Sequence, residues 1–415
     1  MSSASLATRL TTRERVWLQF EYIRSVGPLR GVTVESMRSA LVGLHAADPT
    51  HRAVSRLDRA NAQWVHLDAA AFARYVEEAV TDADGLDIVG ATAALQREPR
   101  AHHPVRMLVG PDFVALKISH SYGDAGPVNA LLHELVKAAA EGRAASIRPS
   151  LPHRGALLKA WFKEIVRKPD RWKQGLNLPR PPRPTPEPQR PWSDDITWRT
   201  THSAEALVQM RKWRDENAPG VTTSAITFAA FAAALRDLGA NPNLSGGIFL
   251  ADARRFLDKG VDIDSDFCMG MWLSPEDMTD PATIHRMLKA ELAVPRILSV
   301  MVLEETKIVV GGTKSMPDPY PTEIAETVRA RHTFSNQGRH DGLADLPWAA
   351  EPAERHNFSV PTLCEPDGVA LATSEMNGVL HLDATFHAST FDPSLMAKAL
   401  EMVCTDPAGL IMASR

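Results

Sequence analysis

A mixed α/β fold in two halves is what this chain predicts, and three observations lead there. Short apolar runs of strand length alternate with segments of helical period along the whole sequence. A proline-dense stretch from Pro179 to Pro191 falls near the middle and suits neither helix nor sheet. At 415 residues the chain is also long for a single hydrophobic core. The expected organisation is therefore residues 1–178, a linker over 179–191, and residues 192–415.

Taken in order, Arg13 to Gln19 and Ser36 to Leu44 read as helices, with Met37, Leu41 and Leu44 on one face of the second. A loop bearing Gly27, Pro28 and Gly31 separates them. Asp48-Pro49 breaks the pattern; Gln63 to Leu67 then reads as a short strand and Phe72 to Val80 as a helix. Val105–Val109 and Phe113–Ile118 flank Gly110-Pro111-Asp112, a turn composition, so they form a hairpin. In the basic, aromatic stretch from Leu157 to Trp172, Lys159, Lys163, Arg167 and Lys168 are expected mostly as a solvated helix face.

The second half opens with a strand, Ile196 to Thr200, and a helix capped by Ser203. Ser224 to Leu238 has little polar surface and is expected to be a buried helix. Strands follow at Ile248–Ala251 and His332–Ser335. Val369–Ser374 and Val379–Phe386 are joined through Asn377-Gly378, a hairpin signal, and alternation in the second predicts one buried face. Asp392-Pro393 starts a last helix.

Composition excludes several functions. A net charge of -4 speaks against nucleic acid as the main partner. No run approaches 18 uninterrupted apolar residues, so no membrane span is expected and a cytoplasmic location is the default. Cys268, Cys364 and Cys404 lack metal-ligand spacing, and His102-His103 has no third ligand, so no metal is expected. There is no phosphate-binding glycine loop, no Gly-x-Ser-x-Gly elbow and no His-Glu-x-x-His.

The chemistry concentrates between Val114 and Ala139. Val114 to Ile118 suits a buried strand, and Val128, Leu131, Leu132, Leu135, Val136 and Ala139 mark one helical face. Pro127 is placed at the first helical residue. Between strand and helix lies a tight loop, His120-Ser-Tyr-Gly123-Asp124-Ala-Gly126. A histidine fixed at a strand end, with a carboxylate four residues on, is a candidate base with its organiser. Asp124 would equally serve as the cap of the following helix.

This His-x-x-x-Asp loop resembles the active-site motif of the thioester-dependent acyltransferase superfamily. That group includes chloramphenicol acetyltransferases, plant BAHD acyltransferases, wax ester synthases, polyketide-associated acyltransferases and condensation domains. Two departures stand out: Ser119 occupies the place of a second histidine, and Ala125 displaces the glycine that usually follows the aspartate. Asp252-Ala-Arg254 resembles the family's Asp-x-Arg, and Thr333-Phe-Ser335-Asn336-Gln-Gly338 its Ser-Asn-x-Gly segment. Asp266 to Gly270 loosely matches a further glycine-bearing segment.

The resemblance implies two chloramphenicol acetyltransferase-like halves forming a pseudo-dimer with a central active-site tunnel. His120 would be the general base, and Asp124 would pair with Arg254 to hold the loop, with Arg255 the competing arginine. Gly123 and Gly126 would shape the loop. Ser335 and Asn336 would lie beside the tunnel, Asn336 turned to the oxyanion or closing a turn. No cofactor would be permanently bound. An acyl-CoA or the phosphopantetheine of an acyl-carrier protein would be co-substrate, and a small hydroxyl- or amine-bearing molecule the acceptor. The alternative is a non-catalytic or repurposed condensation-like module that binds a carrier protein or ligand, or catalyses epimerisation or cyclisation.

Overall fold

Two sheets carry the two halves, and one strand of the second half is paired into the first. The computed structural model describes residues 6–100, 102–147, 155–178, 181, 187–261, 263–312, 321–361, 363 and 365–413. Cys364 and residues 179–180 and 182–186 of the proline-dense stretch lie outside the described residues. The stretch ends in a described strand, Gln189–Pro191, paired with Glu323–Ala325.

The N-terminal sheet has five strands, in the order His356–Pro361, Glu21–Gly27, Val114–Ser119, Val105–Val109 and Val80–Asp82. Helices Val34–Ala47 and Ala125–Glu141 cover one face, joining Met37, Leu41, Leu131 and Leu135 to Val26, Leu116 and Ile118 in one core. Helix Ile88–Arg97 covers the other face with Ile88, Ala91 and Leu95. The C-terminal sheet has six strands, running Cys268–Leu273, Gly247–Asp252, Arg331–Arg339, Gly368–Met376, Val379–His387 and Ile196–Ser203. Its core is built on helix Thr223–Asp237, buried from Ala225 to Leu235. Phe228 of that helix stacks on Phe334 at 4.5 Å between ring centres. Each such ring contributes about 1.5–3 kcal/mol by leaving water.

The expected hairpins, the buried helix and the capped helices are present, with three differences. Helix Ala125–Glu141 begins at Ala125 with Asp124 as its N-cap, so Pro127 is third rather than first. Proline is still tolerated there, because the first four N–H groups of a helix have no intrahelical partner. Strand Val379–His387 is buried on both faces, not one. Leu380, Leu382 and Phe386 enter the helical core, while His381, Asp383 and Thr385 are buried too. Strand Glu21–Gly27 carries no clear sequence signal, since Glu21 and Arg24 interrupt its apolar pattern, yet all seven residues are buried. It pairs with the His120 strand on one side, Tyr22 opposite Ile118, and with the crossed-over strand on the other, Tyr22 opposite Pro361.

Candidate active site

His120 follows directly on strand Val114–Ser119, and its backbone N–H donates to the Phe20 carbonyl at 2.8 Å. Its ring is bracketed by Trp17, stacked with centroids 5.0 Å apart, and by Tyr22 at 4.6 Å. The side chain keeps 21% of its surface exposed, so a substrate can reach it. Nδ1 lies 2.9 Å from Oδ2 of Asp266, a carboxylate that is itself buried. The angle is too poor for a full hydrogen bond, so the contact is chiefly electrostatic. A carboxylate at that place favours the proton on Nδ1 and leaves Nε2 free to accept one. Asp266 Oδ1 accepts from the Cys268 N–H at 2.9 Å, which fixes the carboxylate.

The organiser of the histidine is thus Asp266, while Asp124 holds the loop. Asp124 Oδ2 accepts from Arg254 Nη1 at 2.7 Å and from the Phe267 N–H at 3.0 Å. Asp124 Oδ1 accepts from the Gly126 N–H at 3.2 Å, so the same side chain is also the helix cap. Arg254 reaches it from a short turn after strand Gly247–Asp252, capped by Asp252 Oδ1 on the Arg254 N–H at 2.8 Å. Its remaining donors go to the Ile263 and Ser265 carbonyls at 3.0 and 2.9 Å. Burial alone would lower the Arg254 pKa, but the charge and hydrogen bond of Asp124 raise it above the usual arginine value. Arg255 points outward and is exposed.

Gly123 has a steric reason. A Cβ there would sit 2.6 Å from the Asp264 carbonyl oxygen and 3.0 Å from Pro127, so the loop at 264–267 presses on the His120 loop. At Gly126 a Cβ would meet only Asp124 Oδ1, at 3.5 Å, and nothing there demands glycine. Asn336 Oδ1 accepts from the Gly338 N–H at 3.1 Å and from the Thr373 hydroxyl of the neighbouring strand at 3.4 Å, beside a register shift between Asn336 and Arg339. It closes a turn. Ser335 is half-buried, and strand alternation puts it on the face opposite the buried Phe334.

Three contributors to the site were not assigned from the sequence: Trp17 and Tyr22 carry no motif, and Asp266 only opens the loosely matched segment ending at Gly270. Asp266, Trp17 and Tyr22 reach His120 from distant segments, and only the fold brings them together. Arg13 also adjoins it, donating through Nε to the Asp266 carbonyl at 2.9 Å. Burial lowers the Arg13 pKa. A groove of about 690 Å³ opens nearby along Phe20, Tyr22, Lys117 and Val360, with His120 outside its wall.

No family model matches the chain, and no curated protein matches its sequence. Solved structures do match. Trichothecene 15-O-acetyltransferase TRI3 of Fusarium sporotrichioides superposes with a TM-score of 0.60 at 14% identity, covering 98% of this chain and 93% of its own. The epimerization domain from the third module of tyrocidine synthetase B gives 0.57 at 11% identity, covering 99% and 97%. Polyketide synthase associated protein 5 of Mycobacterium tuberculosis gives 0.54 at 14% identity, covering 97% and 98%. The chain has the two-lobed fold of condensation domains and chloramphenicol acetyltransferase-like enzymes. In that fold the exchanged strand His356–Pro361 ties the lobes together, and His120 sits where the lobes meet. Among the described residues no helix is long and apolar enough to cross a membrane, and no cluster of three metal-ligating side chains occurs.

Proposed function

We propose that the chain transfers an acyl group from a coenzyme A or carrier-protein thioester to a hydroxyl or amine of a small, natural-product-like acceptor. The observation that carries this reading is the accessible His120 imidazole, with Asp266 beside Nδ1, on a loop pinned from the other lobe by Arg254. Nε2 takes the acceptor's proton as its oxygen or nitrogen attacks the thioester carbonyl. The tetrahedral intermediate collapses, the carbon–sulfur bond breaks, and the departing thiolate takes that proton back from Nε2. The new ester or amide and a free thiol are the products. A base of this kind contributes about 10²–10⁴-fold. Ser335, on the strand face opposite Phe334, is the candidate hydroxyl donor to the oxyanion. The fold shared with an acetyltransferase and with synthetase domains supports the reaction class.

The test is incubation with panels of acyl-CoAs, acylated carrier proteins and hydroxyl or amine acceptors, read by thiol release and by intact mass. Release that depends on acceptor, and that falls by about 10²–10⁴-fold in His120→Ala, is the expected result. Release unchanged in a folded His120→Ala protein would remove the base and leave the binding-module reading. Loss of the substrate's α-proton to solvent, without thiol release, would point to epimerisation instead.

A further inference from the structure

The strand that brings Tyr22 to His120 also carries Arg24, two residues on, about 7 Å along the same face. Arg24 is fully buried, and its hydrogen-bond partners all come from the C-terminal half of the chain. Nη1 donates to Gln337 Oε1 at 3.1 Å, and Nη2 donates to Asn357 Oδ1 at 2.6 Å and faces His340 Nδ1 at 3.3 Å. Two of these are neutral amides. The third is held neutral, its pKa pulled down to about 2 by burial and then by the Arg24 charge. Among the described residues no carboxylate forms an ion pair with Arg24. Burial lowers the Arg24 pKa, opposed first by Tyr22 and then by Asp383, the one carboxylate among the described residues that acts on it. Asp383 is instead bonded to the Ser359 N–H at 2.9 Å and to Thr200, and burial pushes its pKa up to about 7.

Hydrogen bonds therefore satisfy much of the guanidinium, but its charge has no counterion in contact. An uncompensated buried charge is costly, which is why such groups are normally paired. The hydrogen-bond directions sharpen the picture. Asn357 Nδ2 donates to His340 Nδ1 at 2.9 Å, and Arg24 also points its N–H there, so Nδ1 is the acceptor and the proton sits on Nε2. That Nε2–H and the Nε–H of Arg24 are buried and have no partner among the described residues. A buried positive charge with an open Nε–H is matched by an anion whose oxygen can accept from it. Gln337 is the part-buried member of the cluster, so the approach runs over its amide, whose oxygen a carboxylate oxygen can replace on Nη1.

We propose that Arg24, with His340, is the recognition site for a carboxylate on one of the two molecules brought to His120. This rests on the acyl-transfer reading for the word substrate, but the anion site itself does not. The carboxylate belongs either to the acceptor or to the acyl group, and turnover arms separate the two.

The first measurement is equilibrium binding of small aliphatic and aromatic carboxylates, and of their matching amides, to wild type, His120→Ala, Arg24→Gln and Gln337→Glu. Saturable binding of carboxylates but not amides is expected, unchanged in His120→Ala and weakened at least tenfold in Arg24→Gln. Gln337→Glu places a carboxylate against Nη1, so it should raise the melting temperature and at the same time block carboxylate binding. That variant keeps the test alive if Arg24→Gln does not fold. In turnover, 3-hydroxybenzoate is compared with 3-hydroxybenzamide, and succinyl-CoA with butyryl-CoA. The arm in which Arg24→Gln raises KM for the charged member alone identifies the source. No saturable carboxylate binding, or equal binding in all four proteins, overturns the proposal and leaves Arg24 as a tie between lobes. Carboxylate binding without acyl transfer would keep this site and discard the reaction; acyl transfer without carboxylate binding would do the reverse.

Discussion

Removing the Asp124 carboxylate should unlock the His120 loop, and the structure lets the cost be apportioned. Asp124→Ala strands the Arg254 Nη1 donor and the Phe267 and Gly126 N–H groups together. Breaking a buried pair from one side costs about 3–5 kcal/mol, and the Asp124 side chain, only 8% exposed, belongs to that class. Arg254→Ala is milder. Its side chain is 23% exposed, so water reaches part of the site, and Asp124 keeps its two backbone donors. Roughly 2–3 kcal/mol is expected there, at the low end of that range or just below it. In the double variant the stranded charge is gone, so the losses should fall short of their sum by about 0.5–3 kcal/mol. Urea unfolding of the four proteins gives the cycle, and turnover should fall with stability in both single variants. Strict additivity, or an Asp124→Ala protein as stable as wild type, would refute the pairing as the element that fixes the loop.

Further outcomes are expected. Asp266→Asn removes the charge beside His120 Nδ1 and should cut kcat by about 10²-fold or more with little change in KM, measured by steady-state kinetics. Gly123→Ala drives a methyl group to within 2.6 Å of the Asp264 carbonyl; a loss of about 1–3 kcal/mol should appear in thermal unfolding, whereas Gly126→Ala should be close to neutral. Burial pulls the pKa of His51 and of His332 down to about 4 and that of His381 to about 3. These groups bind protons more readily unfolded than folded, so stability should be full above about pH 6.5 and fall as pH drops through 6.5 toward 4. Asp383 acts the opposite way. Its raised value means the folded state holds the extra proton, so it withdraws stability as pH rises from about 4 to 7. Asp383→Asn should remove that component alone, which a set of melting curves across pH would show.

What the sequence made legible was local. The His120 loop, its strand and its helix are contiguous, and periodicity with one turn signal defines them. The hairpin turn at Asn377 and Gly378 was legible for the same reason. Both residues adopt left-handed backbone, with φ of 52° and 79°, a conformation that asparagine and glycine tolerate best. Arg254 was legible only through resemblance, since nothing local distinguishes it from Arg255. Asp266 was not legible as the partner of His120, because the two meet through the packing of a loop from the other lobe. Strand Glu21–Gly27 escaped for a related reason. Its Glu21 and Arg24 look like surface residues, and only the ion pairs of Glu21 with Arg59 and Lys117, and the polar cluster around Arg24, make their burial possible.

The same facts explain why neither half can form the site by itself. The N-terminal half contributes His120, its flanking rings and the loop, but the carboxylate beside Nδ1 and the arginine that pins the loop come from the C-terminal half. The exchanged strand His356–Pro361 then supplies the edge of the N-terminal sheet and, through Asn357, a partner for Arg24. The Asp124–Arg254, His120–Asp266 and Arg24–Gln337 contacts each join residues of the two halves, so a relative shift would break several charge-assisted interactions at once. The geometry at His120 is therefore coupled to the register of strand Glu21–Gly27 against its two neighbours, which carries Tyr22 to the imidazole and Arg24 to the cluster beyond it.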